Sequence, residues 1–173
     1  MAITKTRSLQ RLITGASTGL LLAALATPAA ASSIRDAITA AEQQFGGQAF
    51  EVESYRENGR AYIEVEVLSG NRIIEAEYSV GSGQLKDAET YGNPRRVARI
   101  ASALDRSNLS LADAAQIAED AIGPGKVLEA KLRITRQPQR NGKRFLVELR
   151  NDEGEFDVVV NSRNGRVLRI RRD

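Results

Sequence analysis

The sequence predicts an α+β protein made of two repeats, each a helix followed by a small antiparallel sheet, joined by a bridging helix. Three observations carry this. The stretch RFLVELRNDEGEFDVVVNSRNGRVLRIR, residues 144–171, reads as three strands of alternating apolar residues joined by two Gly-containing turns. Sliding the chain by 82 positions lays Ile63, Val65 and Val67 on Phe145, Val147 and Leu149, then Ile74, Ala76 and Tyr78 on Phe156, Val158 and Val160, and Gly83 on Gly165. The matching positions alternate, so one face of a sheet is repeated. Finally, Ser33-Ile34-Arg35-Asp36 and Ser110-Leu111-Ala112-Asp113 open two similar helices.

The chain begins with Lys5, Arg7 and Arg11, an apolar run from Leu12 to Leu25, and Thr27-Pro28-Ala29-Ala30-Ala31. A short cationic head, an apolar stretch too short for a comfortable span and a small-x-small end predict a signal peptide over 1–31, cleaved after Ala31. That places the protein in the periplasm or the medium. Removing this segment takes away the three cations that make up the precursor's net charge of +3. The mature chain is formally neutral, and the precursor's basicity is no argument for nucleic acid. Cys and His are both absent, so stability is left to packing. Lobes of about 70 residues are marginal alone, and the halves are expected to pack together or the chain to self-associate.

In the first repeat, residues 32–92, Ile34, Ile38, Ala41 and Phe45 share a helix face that Gly46 ends. A strand over Phe50–Arg56 follows, with turns at Asn58-Gly59, Ser69-Gly70-Asn71 and Ser82-Gly83. Asn93-Pro94 starts the bridging helix, within residues 93–107, with Val97, Ile100, Ala101 and Leu104 on one face. Arg95, Arg96 and Arg99 crowd its first turns, where the helix dipole disfavours cations, and an acidic neighbour is expected there. The second repeat, residues 108–173, sets Leu111, Ala114, Ala115, Ala118 and Ile122 on the helix face and ends it at Gly123. Its helix matches the first at a shift of 77 and its sheet at 82, so five residues are added between them, expected at Thr135–Asn141. Residues 32–92 carry a net charge of −6 and residues 93–173 of +6, which predicts that the two lobes attract.

YIEVEV followed by IIEAEYSVGSGQL, and FLVELR followed by FDVVVNSRNGRVL, resemble the PepSY domain, in two copies covering most of the mature chain. The Asp-x-x-Thr-Gly turn usual in that family stands here as Ser79 with Ser82-Gly83 and as Asn161 with Asn164-Gly165. The resemblance implies a small α+β module, similar to the propeptide domains of secreted metallopeptidases, that modulates or chaperones another protein and in some cases inhibits a peptidase.

Chemistry has few candidates. Without His or Cys there is no Ser-His triad, thiolate or usual zinc cluster, and no cofactor is indicated. Glu64, Glu66, Glu75 and Glu77 alternate along two strands and can share a face, as paired carboxylates or a calcium site would. A solvated sheet face explains them better, because Leu146, Glu148, Asp157 and Val159 hold the same places in the second repeat. The sharpest charge feature is the run Arg163, Arg166, Arg169, Arg171 and Arg172, with Arg136 and Arg140 in the added loop as further contact candidates. The run reads as a partner surface, as an edge strand protected by charge, or as a pairing with the acidic first repeat. No aromatics interleave with it, which excludes a base-stacking surface, and a membrane surface is not favoured. The reading is therefore an exported, non-enzymatic binding or regulatory module. Its partner is another exported or membrane-anchored protein, such as a peptidase or a sensor. Inhibition of an extracytoplasmic peptidase and binding of a polyanion or membrane surface are the alternatives.

Overall fold

The computed structural model describes residues 33–134 and 143–173. The predicted signal segment with its cleavage point after Ala31, and loop residues 135–142 with Arg136 and Arg140, lie outside the described residues. In order, the elements are α1 (Ile34–Phe45), β1 (Gln48–Glu57), β2 (Arg60–Ser69), β3 (Arg72–Ser79), β4 (Leu85–Tyr91), α2 (Pro94–Leu104), α3 (Leu111–Ile122), β5 (Lys126–Arg133), β6 (Arg144–Asn151), β7 (Gly154–Asn161) and β8 (Val167–Arg172).

Both predicted helix starts close as reciprocal caps. Ser33 Oγ accepts the Asp36 N–H at 3.2 Å while Asp36 accepts the Ser33 N–H at 3.1 Å; Ser110 and Asp113 repeat this at 3.0 Å each way. Asp is long enough for the box, and each cap contributes about 1 kcal/mol. The exits differ. Gly46 takes the left-handed conformation, whereas Gly123, at φ 89 and ψ 176, keeps a positive φ outside the helical regions, and Pro124 after it disfavours helical backbone there. Asn58 and Gly59, with φ of 51 and 78, form the two-residue turn between β1 and β2 that suits the strand twist. The turns before β4 and β8 are built alike: Gly83 and Gly165 donate to Ser79 and Asn161 carbonyls at 2.7 and 3.0 Å, and Asn161 Oδ1 takes the Arg163 N–H at 2.9 Å.

The expectation of two small sheets is corrected. All eight strands form one antiparallel sheet in the order β4-β3-β2-β1-β5-β6-β7-β8. Its seam is β1 against β5, with Val52 opposite Ala130 between the pairs Glu51–Lys131 and Glu53–Glu129. Each half alone would leave β1 or β5 as an open edge strand, and the seam pairs three residues of each. Matching irregularities mark the two halves: Phe50 and Leu128 are the extra residues of bulges in β1 and β5, and register shifts recur at Glu77/Tyr78 and Val159/Val160.

The seam also corrects the placing of the five added residues. Gly47 and Gly125 occupy equivalent positions, each with its α-carbon against the backbone of the following hairpin, Leu68 O for one and Arg150 O for the other. They are 78 positions apart, so one addition, Pro124, precedes β5 and the rest fall in the β5–β6 connection.

α1 and α3 lie side by side on one sheet face, joined by an Arg35–Glu119 pair at 3.5 Å. Beneath them Val52, Val65, Ala76, Ala130, Val147 and Val158 form one in-register row and are all buried. Burial of such a row is worth about 1.5–3 kcal/mol per large side chain. α2 packs on β1 and β2, and its Val97 meets Ile73 around Gly92. By strand alternation Ile73, in register with Leu68 and Tyr91, belongs to the opposite face. α2 therefore covers one end of that face and leaves the remainder open.

Candidate functional site: the open sheet face and its basic edge

Strand pairing lines up the open face's side chains. One row runs Asp87, Glu77, Glu64, Glu53, Glu129, Glu148, Asp157, Arg171 across all eight strands. The adjacent row runs Glu89, Glu75, Glu66, Glu51, Lys131, Leu146, Val159, Arg169. Directly opposed residues in neighbouring strands have Cβ atoms about 4.5–5.5 Å apart, and like charges so placed repel. The quartet Glu64, Glu66, Glu75 and Glu77 does share a face, and it is the middle of a larger carboxylate field.

Neighbours offset part of this repulsion. Lys86 pairs with Glu77 at 2.6 Å, and the Tyr55 hydroxyl donates to Glu77 at 2.5 Å. Arg96 on α2 reaches across to Glu66 at 2.6 Å and stacks over the Tyr91 and Phe50 rings; Tyr91 also donates to Glu66. This is the acidic neighbour expected for the arginines of α2. Lys131 pairs with Glu129, and Arg171 with Asp157 at 2.7 Å.

Glu64 sits in the middle with none of these. Burial, then Glu75 and Glu53, push its carboxyl up to about 7. Burial also raises Glu51, with Glu66 adding to it, and Glu148, with Glu129 adding to it. Six glutamates, Tyr91 and Arg96 line a groove of about 550 Å³ here. The carboxylates stand side by side along a ladder rather than converging, and among the described residues no group of three or more acidic side chains could hold a metal ion. The arrangement suits contact with a cationic or hydrogen-bonding surface.

The five described arginines of the terminal run do not form one patch. Arg163 and Arg166 belong to the turn before β8, where their N–H groups are held by Asn161 and Asn164. Arg169 and Arg171 lie on the carboxylate face, in register with Val159 and Asp157. Arg172 turns to the other face, over the Phe156 ring and against the Glu153 carbonyl. Pairing of this run with the acidic first repeat is overturned by topology: β8 is the edge farthest from β1–β4, and Arg171 finds its carboxylates at Asp157 and Asp173 instead.

The sequence reading missed the row as a whole. Its signal was present as acidic residues at alternating positions of the strands, Glu51 and Glu53, Glu129, Glu148, Asp157, and Asp87 and Glu89. What was lacking was the β1–β5 seam that joins them. The reading offered β8 as a charge-protected edge but missed the exposed apolar side chains that the edge carries, Val167, Leu168 and Ile170, at 36, 43 and 45% exposure.

This construction, a helix on a four-stranded meander given twice, defines a small α+β scaffold whose distinctive surfaces are a sheet face and two sheet edges. The pattern of the PepSY family, described as "Peptidase propeptide and YPEB domain", matches residues 32–88 and 108–171, and the chain belongs to that family. Among solved structures it is similar to a protein from Clostridium difficile 630 described as a "putative lipoprotein", with 19% identity over 80% of this chain and 91% of that one and a TM-score of 0.48. No curated protein matches the sequence. Among the described residues no helix is long and apolar enough to cross a membrane.

Proposed function

We propose that the protein is an exported, non-enzymatic binding module that restrains or regulates another exported or membrane-anchored protein. The observation that carries this is β8: an open edge strand, exposed at every residue, that offers unpaired backbone beside three exposed large apolar side chains and Arg169. Such an edge is what strand addition by a partner requires, with main-chain bonds giving affinity and alternate side chains giving selectivity. Export rests on the signal-like segment 1–31.

Capture from an envelope extract tests it. The wild-type protein retains a specific partner, and Leu168→Lys with Ile170→Lys, both at exposed positions, loses it while keeping the wild-type urea midpoint. Recovery of no partner, or equal recovery by the variant, would overturn the reading. The family's peptidase-propeptide description favours one second reading, inhibition of an extracytoplasmic peptidase. Undiminished proteolysis by the same extract with the protein in excess would remove it.

A further inference from the structure

We propose that copies of this chain join head to tail, β8 of one copy pairing with β4 of the next so that the eight-stranded sheet continues across the junction. β4 and β8 are the two edges of the sheet and both are exposed along most of their length. Strand directions alternate through the eight strands, so β4 and β8 run oppositely. A copy displaced sideways along the sheet therefore offers its β4 antiparallel to β8, with the helices remaining on the same side.

The register then makes a specific match. Continuing the two rows of the open face places Arg171 opposite Asp87 of the next copy and Arg169 opposite its Glu89. On the helix-covered face, the row through Ala88, Ala76 and Val65 ends at Val158 and Ile170, so exposed Ile170 arrives against the small Ala88. Arg169 makes no ion pair among the described residues, and this junction would give it one. At the other edge Asp87 Oδ1 accepts the Ala88 N–H at 2.9 Å, a local bond that strand pairing would replace.

Like edges do not fit. β8 against β8 confronts Arg169 and Arg171 with themselves, and β4 against β4 does the same with Asp87 and Glu89; directly opposed like charges are destabilising in a ladder. Charge thus selects the unlike pairing, a heterologous contact that propagates rather than closing at two copies. Because a partner docked on β8 would occupy the same edge, self-association and partner capture would exclude each other.

Sedimentation of the purified protein, without extract, tests this separately from partner capture. The mass-average size is expected to rise with concentration at low ionic strength and to fall back at about 0.5 M salt, where exposed pairs are screened. Arg169→Glu with Arg171→Glu, and Asp87→Arg with Glu89→Arg, should each remain monomeric. An equimolar mixture of the two should associate again, since each then meets an edge of opposite sign. The milder Arg169→Gln with Arg171→Gln should weaken association roughly tenfold, as two lost cross-strand pairs of about 0.7 kcal/mol each imply, and serves if a reversal variant fails to fold. A protein that stays monomeric throughout at low salt, variants that associate like the wild type, or a mixture of folded reversal variants that stays monomeric would overturn the proposal.

Discussion

The two halves of the sheet share their caps, bulges and turns, yet they differ in charge at equivalent places: β4 carries Asp87 and Glu89 where β8 carries Arg169 and Arg171. What is shared is backbone-level: Ser-Asp caps, a glycine ahead of β1 and β5, bulges at Phe50 and Leu128, and Gly83 and Gly165 in the edge turns. What differs lies mostly on exposed side chains. The scaffold is thus set by close approaches and hydrogen bonds that tolerate little change, while the surfaces able to recognise something are free to diverge.

The sharpest way to break the shared part is at its glycines. A Cβ on Gly47 would lie 2.3 Å from the Leu68 carbonyl oxygen, against 2.8 Å from Arg150 O for one on Gly125. In both places the obstacle is backbone of the neighbouring strand, which cannot swing aside as a long side chain can. Gly47→Ala is expected to lower stability by about 3 kcal/mol and Gly125→Ala by about 1–2 kcal/mol, the range of over-packing effects. Urea unfolding of the two variants checks the order. Equal losses would mean that the halves tolerate compression alike and that the tighter seat at Gly47 has no energetic meaning.

The divergent part is tested through pH. Glu64 has Leu146 as its counterpart, so a charge sits in the first half where the second has an apolar side chain. In the folded protein burial and its carboxylate neighbours hold Glu64 protonated up to about pH 7, whereas the unfolded chain releases that proton near 4.5. The folded state therefore binds more protons between those values, and this group's destabilising contribution grows as pH rises from about 4.5 to 7 and is complete above 7. Glu64→Gln removes it. The variant should match the wild type at pH 4 and exceed it at pH 8 by about 1 kcal/mol, a figure discounted because the group is only half withdrawn from water. A gain of the same size at both pH values would show that ionisation is not its source.

Much of this fold was legible because its signals are local. Ser33 with Asp36, Asn58-Gly59, and the alternation from Phe145 to Val160 each specify their structure within a few residues, and all appear as expected. The β1–β5 seam was not legible, since Val52 and Ala130 are far apart in sequence and nothing near either names the other. From that one missing pairing followed the error of two separate sheets, and without it a pairing of the basic run with the first repeat stayed open beside the other readings. The candidate surface was read by half: the arginine run was marked, with an edge strand as one reading, but that this edge is the one farthest from the first repeat depends on the whole strand order.

The smallest contrast between the halves is buried. Ser162 stands where the first half has Val80, and both backbones donate to the preceding hairpin strand, Ser162 N–H to Lys143 O at 3.1 Å and Val80 N–H to Ala61 O at 3.0 Å. Ser162 is fully buried and its hydroxyl has no hydrogen-bond partner among the described residues, while its carbonyl is fully used by Asn108, Leu109 and Ser107. An unpaired buried hydroxyl is destabilising, and an apolar group of similar shape avoids its desolvation. Ser162→Val, which installs the counterpart residue, is expected to raise stability by about 0.5–1 kcal/mol in urea unfolding with an unchanged denaturant slope. A loss instead would mean that the hydroxyl is hydrogen-bonded to a water molecule, and that the second half departs from the first in its core as well as on its surface.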